Sequence, residues 1–260
     1  MIYKKYSILI GIWALAISAS AQNPDMAQVK QGAYVPLYGT EGMSVKVNEF
    51  LIDTVPVTKA AYRDFLKANP KWKKSEIKGL FADKNYLRDW ESDLDFGKGK
   101  ENEPVTNVSW FAAKEYCKCQ GKRLPTVDEW EYVGMADART QDAREKESYN
   151  QFILSWYESP KKIGQTVGST FRNYWGVYDI HGLVWEWTSD FNSILISSES
   201  RSSSTNPNLF CSAAAVGASD LMNYAAFMRY AFRSSIKGSY SGNNLGFRCA
   251  KDIEDGDKSS

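Results

Sequence analysis

Two helix start signals lie close together in residues 108–132, and they constrain the fold more than any other feature. Ser109 can cap a helix that ends at Gly121, because a serine side chain accepts hydrogen bonds from a first turn and glycine readily ends a helix. Thr126 can cap the next helix, and Glu129 completes a capping box with it. The segment therefore predicts two short helices in close succession.

The segments before this pair also predict short elements. Residues 32–57 indicate extended pieces broken by glycine and proline, and Thr58 can cap a helix that Asn69 and Pro70 end. Residues 71–100 are highly charged but carry isolated aromatic side chains. They indicate a long loop that its aromatics hold against the surface.

The second half of the chain is less regular. Residues 136–160 are polar and ambiguous, residues 173–190 are dense in aromatics, and residues 193–207 indicate a serine-rich loop. Residues 245–250 indicate a short closing strand. The polar residues 253–260 are expected to form a disordered tail.

The N-terminus predicts export. Two lysines precede an almost purely apolar run over residues 7–18, which is too short for a comfortable membrane span, and small residues follow at 19–21. We expect a signal peptide over residues 1–21, cleavage near Ala21 and a periplasmic or secreted protein without a membrane anchor. An uncleaved N-terminal anchor is the alternative.

Composition excludes several function classes. The chain has 32 basic and 31 acidic residues, so it has no net charge that would attract nucleic acid or an anionic membrane. It has a single histidine, His181, which excludes a multi-histidine zinc or iron centre within one chain.

The four cysteines are Cys117, Cys119, Cys211 and Cys249, and they can form three different sets of two disulfides. Cys117 and Cys119 are two residues apart on a predicted helix, so their side chains point in different directions. These two are not expected to pair with each other. Spacing alone does not choose among the remaining pairings.

Four blocks, in order, carry a resemblance to a known family. They are Phe50-Leu51-Ile52-Asp53 with Pro56-Val57-Thr58; Asn107-Val108-Ser109-Trp110 with Gly121-Lys122-Arg123-Leu124-Pro125-Thr126 and Glu129-Trp130-Glu131-Tyr132; Trp175-Gly176-Val177-Tyr178-Asp179 with Trp185-Glu186-Trp187; and Arg229, Ala231 and Arg233 with Asn244-Leu245-Gly246-Phe247-Arg248-Cys249-Ala250.

These blocks resemble the formylglycine-generating enzyme (sulfatase-modifying factor) family. The resemblance implies an α+β fold, an irregular relative of the C-type lectins, over residues 32–252 after a short segment at 22–31. Oxidases of this family bind Cu(I) with two cysteines upstream of the arginine block. Here residues 220–226 contain none, so the chain looks like a divergent member in which copper is not expected.

Structural features of the family carry over better. The resemblance implies a disulfide between Cys117 and Cys249, which could stabilise the fold by about 4 kcal/mol in the chain-entropy model. It also implies one calcium ion, held by oxygens of Asp179, Gly182, Val184 and Glu186. The alternative is that Glu186 pairs with an arginine such as Arg248.

The preferred function is a non-catalytic accessory module that binds a protein or peptide partner outside the cytoplasm. The candidate binding surface comprises His181, Trp185, Tyr224, Arg229 and Arg233, although core packing is an alternative role for each.

Three further expectations concern partner and chemistry. Residues 179–187 and 217–233 look like accessory proteins of copper nitrite reductases, a weaker resemblance than the family itself. The alternative function is an oxidoreductase that acts through a thiol or copper site formed by Cys211 and Cys119. Glycan binding, by kinship with lectins, is a third hypothesis.

Overall fold

The computed structural model describes residues 25–37, 42–158, 164–192 and 221–253, with the backbone alone for residues 157, 158 and 221–224. The expected signal peptide, the serine-rich loop, Cys211 and the tail beyond residue 253 lie outside the described residues. Among the residues that the structure describes, no helix combines the length and apolar character needed to cross a membrane.

The described elements are short, as the sequence predicts. In chain order they are β1 (Met26–Val29), β2 (Gly32–Tyr34), β3 (Val45–Val47), β4 (Phe50–Asp53), α1 (Lys59–Ala68), a 3-10 turn (Pro70–Trp72), α2 (Trp110–Cys119), α3 (Val127–Gly134), α4 (Glu147–Glu158), β5 (Trp185–Glu186), α5 (Leu221–Ser235), β6 (Leu245–Gly246) and β7 (Ala250–Asp252). The predicted α+β fold of short strands, few helices and long loops is confirmed.

A three-stranded antiparallel sheet joins the two ends of the domain in the order β1-β4-β7. Its centre is β4, where Phe50, Ile52 and Asp53 are buried. Strand β1 pairs with the whole of β4, so part of the expected N-terminal segment 22–31 belongs to the sheet. The predicted closing strand at 245–250 is divided into β6, which pairs in parallel with β5, and β7.

The helix start signals act as predicted. The side chains of Thr58, Ser109 and Thr126 accept the backbone N–H of the residue three positions on, and Thr126 forms the full capping box with Glu129. Helix α4 falls in the segment that the sequence left ambiguous. Its apolar face becomes clear only where Tyr149 and Ile153 enter a small buried cluster.

Two larger clusters form the core. One packs α1 and α2 against the aromatics of the long loop, and the other packs α3 against the three-stranded sheet. The prediction that aromatics hold the loop 71–100 in place is confirmed, because Trp72, Tyr86, Trp90 and Phe96 are buried. Leu80, in the same loop, is instead 76% exposed.

Candidate functional site

The candidate site is an ionic cluster between α3 and α5. Arg229 and Arg233 are four residues apart on α5, so their side chains leave the same face of the helix. Both bind Glu131 on α3. Arg229 donates from Nε and Nη2 to the carboxylate at 2.9 and 2.8 Å, and Arg233 donates from Nη1 at 2.6 Å.

Electrostatics hold this cluster in its ionised form. Partial burial would raise the pKa of Glu131, but the charges of Arg229 and Arg233 and their hydrogen bonds lower that pKa to about 2. The carboxylate therefore stays charged across the physiological pH range. Two guanidinium groups share one carboxylate, so these three side chains together carry a net positive charge.

Trp130 connects this cluster to a second, fully buried ion pair. The guanidinium carbons of Arg229 and Arg233 lie 5.7 and 5.0 Å from the centre of a Trp130 ring, which is cation–π distance. The indole Nε1 of Trp130 donates to Glu186 at 2.8 Å. Glu186 is bound through both oxygens by Arg248, and neither side chain of that pair is exposed.

His181 lies beside the same tryptophan. It is 2% exposed, its Nε2 lies 2.8 Å from the carbonyl oxygen of Gly134, and its ring meets that of Trp130 edge-on at 5.5 Å. Burial, followed by the charge of Arg229, lowers the pKa of His181 to about 3. At neutral pH it is an uncharged, packed histidine.

The predicted binding surface is therefore not an open surface. His181, Arg229 and Arg233 are buried, so the alternative of core packing holds for these three. Trp185 is partly buried and packs on Phe232, with ring centres 4.6 Å apart. The side chain of Tyr224 lies outside the described residues.

Sequence reasoning missed the role of Glu131, the residue that unites the two arginines. A signal for it was present. Two arginines four residues apart on one helix face need a nearby acid when that face is buried. The sequence could not say which acid, because Glu131 and Arg229 are 98 residues apart.

The hydrogen bonds of the predicted calcium ligands test their fit to an ion. Asp179 Oδ1 accepts from the backbone N–H and hydroxyl of Thr170, and Oδ2 accepts from the N–H of Gly168. Glu186 accepts from Arg248 and Trp130. Gly182 and Val184 lie between them in the chain.

Every oxygen of the two carboxylates thus has a donor, and Arg248 adds a positive charge beside Glu186. A calcium ion needs several oxygens free of such competition. In this arrangement the residues do not fit calcium, and the geometry favours the alternative, the ion pair of Glu186 with Arg248. The calcium ion is thus an expectation of the resemblance alone, and the hydrogen bonds of both carboxylates weigh against it.

The predicted disulfide is confirmed. Cys117 and Cys249 are bonded, with their Cα atoms 5.6 Å apart, and both are fully buried. Cys119 is exposed and free, with its Sγ 3.9 Å from Asn69 Oδ1. Within the described residues, no group of three or more histidine, cysteine or acidic side chains is placed to hold a metal ion.

The chain resembles known proteins over most of its length. Residues 15–253 match the family described as "Sulfatase-modifying factor enzyme 1-like domain". The formylglycine-generating enzyme of Mus musculus is 32% identical over 168 residues, which are 59% of this chain and 45% of that protein. The chain therefore spans less than half the length of that relative.

Two further comparisons cover more of both proteins. The Mus musculus protein named inactive C-alpha-formylglycine-generating enzyme 2 is 25% identical over 278 residues, covering 88% of this chain and 86% of that protein. The solved structure of PvdO from Pseudomonas aeruginosa is 19% identical, covers 88% of this chain and 95% of its own, and has a TM-score of 0.49. Because the family match takes in every residue that the structure describes, the chain belongs to the sulfatase-modifying factor enzyme 1-like domain family.

Proposed function

We propose that this chain is an exported, non-catalytic member of its family that binds a protein or peptide partner outside the cytoplasm. The observation that carries the proposal lies in residues 220–226, where the oxidases are expected to have their cysteine pair and this chain has no cysteine. Cu(I) needs soft ligands such as thiolates, and that segment supplies none.

The described side chains of that segment have a packing role. Ala225 and Ala226 are 1% and 8% exposed, and Ala225 packs in an apolar cluster with Tyr149 and Ile153 of α4. Four residues further on, Arg229 is bound by Glu131. The middle of α5 is thus fixed to the body of the protein by small apolar contacts and an ion pair, an arrangement that suits a scaffold.

Two relatives support the same reading. Both are named inactive C-alpha-formylglycine-generating enzyme 2. The match to this chain covers 86% of the Mus musculus protein and 78% of the Bos taurus protein. The resemblance to accessory proteins of copper nitrite reductases adds one partner class to test first, a copper enzyme outside the cytoplasm.

The alternative function is an oxidoreductase that uses Cys119 and Cys211. One observation favours it, because Cys119 is free and exposed. A second observation weighs against it: partial burial and the charge of Glu115 raise the pKa of the Cys119 thiol, which lowers the fraction of reactive thiolate. Cys211 lies outside the described residues.

An aldehyde assay tests the proposal. The mature protein is incubated with a sulfatase-type cysteine peptide, Cu(I), oxygen and a thiol reductant, which supplies the two further electrons that reduction of oxygen to water needs. The peptide mass is followed, with an active formylglycine-generating enzyme as positive control. We expect no aldehyde from this chain. Aldehyde formation by the wild type would overturn the proposal, and its loss in Cys119→Ser would establish the alternative.

A further inference from the structure

A cavity of about 500 Å³ lies where α5 ends. This volume falls within the range of about 300 to 1,000 Å³ that is usual for sites that bind small molecules. One acidic and one basic side chain line it, Asp83 from the long loop and Lys237 from the turn after α5. Because the two charges balance each other, the lining favours neither a simple anion nor a simple cation.

Both charged groups of this lining have capacity for a ligand. Neither forms an ion pair with any residue that the structure describes. The carboxylate of Asp83 accepts the backbone N–H of Asn85 at 2.9 Å through one oxygen and that of Ser241 at 3.3 Å through the other. A carboxylate has about four acceptor positions, so each oxygen can accept one more hydrogen bond. Lys237 is exposed.

The cavity also has an apolar wall, formed by Phe232, Ile236 and Tyr240. All three side chains pack against the core cluster that contains α1 and α2. The ring of Phe232 lies 4.6 Å from that of Trp185. The core therefore supports this wall, which offers an apolar surface to a ligand.

Backbone hydrogen bonds hold the rest of the cavity in place. The N–H of Asp83 donates to the carbonyl of Ser239 at 2.8 Å, and the N–H of Trp110 donates to the carbonyl of Gly238 at 3.0 Å. The turn after α5 is thus tied both to the long loop and to the start of α2. A cavity with fixed walls needs little ordering when it binds a ligand, which favours affinity.

We propose that this cavity binds a free α-amino acid with a large apolar side chain, such as phenylalanine. Such a ligand carries an ammonium and a carboxylate on the same carbon atom, which matches the one anion and the one cation of the lining. The ammonium donates to Asp83, and the carboxylate accepts from Lys237 and from the hydroxyl of Ser239, which also lines the cavity. The side chain of the ligand packs against the apolar wall. This inference goes beyond the proposed function, because its ligand is a small molecule and not a protein or peptide partner.

A set of four ligands tests the match of charges. L-phenylalanine is titrated into the full mature protein, and its dissociation constant is measured by saturation-transfer difference NMR. Phenethylamine lacks the carboxylate, phenylpropionate lacks the ammonium, and glycine lacks the apolar side chain. We expect each of these three to bind at least about tenfold more weakly than L-phenylalanine, because each leaves a charged group or the apolar wall without its partner.

Two variants assign the charges to the two ends of the ligand. Lys237→Met removes the charge and keeps an apolar chain, so we expect about tenfold weaker binding of L-phenylalanine and no change for phenethylamine. Asp83→Asn should weaken L-phenylalanine and phenethylamine but not phenylpropionate. The matched control is Lys251→Met, at an exposed lysine of β7 that does not line the cavity, and it should change nothing.

Three results would overturn the inference. They are no binding of L-phenylalanine by the wild type, binding of any analogue as tightly as L-phenylalanine, and equal effects of Lys237→Met and Lys251→Met. Lys237 is exposed and unpaired among the described residues, so its variant decides the question even if Asp83→Asn does not fold. None of these results bears on aldehyde formation, so the cavity and the non-catalytic function stand or fall separately.

Discussion

His181 gives the sharpest test of the buried cluster, because it is the one histidine in the chain. Its pKa is lowered to about 3 in the folded protein, from about 6.5 in an unfolded chain. A lowered histidine pKa means that the unfolded state binds the proton first as pH falls. The stability contributed by the neutral His181 is therefore full above pH 6.5 and is lost progressively between pH 6.5 and 3.

The magnitude follows from those two pKa values. At pH 5.5 the protonated form of the unfolded histidine is about ten times more abundant than the neutral form, while the folded histidine is still neutral. The free energy of unfolding is therefore about 1.4 kcal/mol lower at pH 5.5 than at pH 7.5. Ordinary carboxylates in an unfolded chain have pKa values near 4, so they contribute little in this window. Buried Asp53 and Asp190, whose pKa values burial raises, are unchanged in a histidine variant.

The assay is urea unfolding of the wild type and of His181→Asn, each at pH 7.5 and pH 5.5. Asparagine does not titrate and retains a donor for the carbonyl of Gly134. We expect the wild type to lose about 1.4 kcal/mol more than the variant between the two pH values. If the variant does not fold, the NMR titration of His181 in the wild type gives the same information.

Two results would refute this reasoning. One is an equal change of unfolding free energy with pH in wild type and variant. The other is an NMR titration of His181 with a midpoint near 6.5 in the folded protein, which would show that the imidazole is accessible to protons and not held neutral by burial and Arg229.

Three further predictions concern stability. Glu131→Gln should lower the free energy of unfolding in urea by about 2 to 3 kcal/mol, because it leaves two buried arginines without their anion. The control, Glu115→Gln at an exposed pair, should lower it by less than about 0.5 kcal/mol. Equal effects would show that the buried cluster stabilises the fold no more than an exposed ion pair does. Replacing both Cys117 and Cys249 with serine should cost about 4 to 5 kcal/mol, since their bond closes a loop with a sequence separation of 132, and an unchanged midpoint would contradict this. Addition of calcium or EDTA should leave the melting temperature unchanged, because the carboxylate of Glu186 is already bound by Arg248. A melting temperature that rises with calcium would show that the calcium site implied by the resemblance exists.

Local features of the fold were predictable from the sequence. The caps at Thr58, Ser109 and Thr126 depend on side chains and amides only three residues apart, so the printed sequence contains all the atoms involved. The burial of Cys117 and exposure of Cys119 follow from helix periodicity in the same way. The block motifs also identified the family and, through it, the disulfide with Cys249.

Other features depend on contacts between distant segments. Helix α4 was ambiguous because the segment 136–160 that contains it is largely polar, and its apolar face is defined by contacts with Ala143, Phe171 and Ala225 of α5. Arg229 and Arg233, predicted to lie on a surface, are buried instead. Glu131, far away in the chain, supplies the negative charge that compensates for the loss of hydration of the two guanidinium groups. Burial of an arginine is decided by its partner, and no local pattern names that partner.

The sequence by itself determined the family, the helix starts, the absence of a cysteine pair in residues 220–226 and the exclusion of a multi-histidine centre. Each of these follows from which residues are present and from spacings of a few positions. Only the tertiary structure decided that Glu186 binds Arg248, that His181 is buried and neutral, and that Arg229 and Arg233 share Glu131. Those outcomes depend on distances between segments, which the folded chain alone sets.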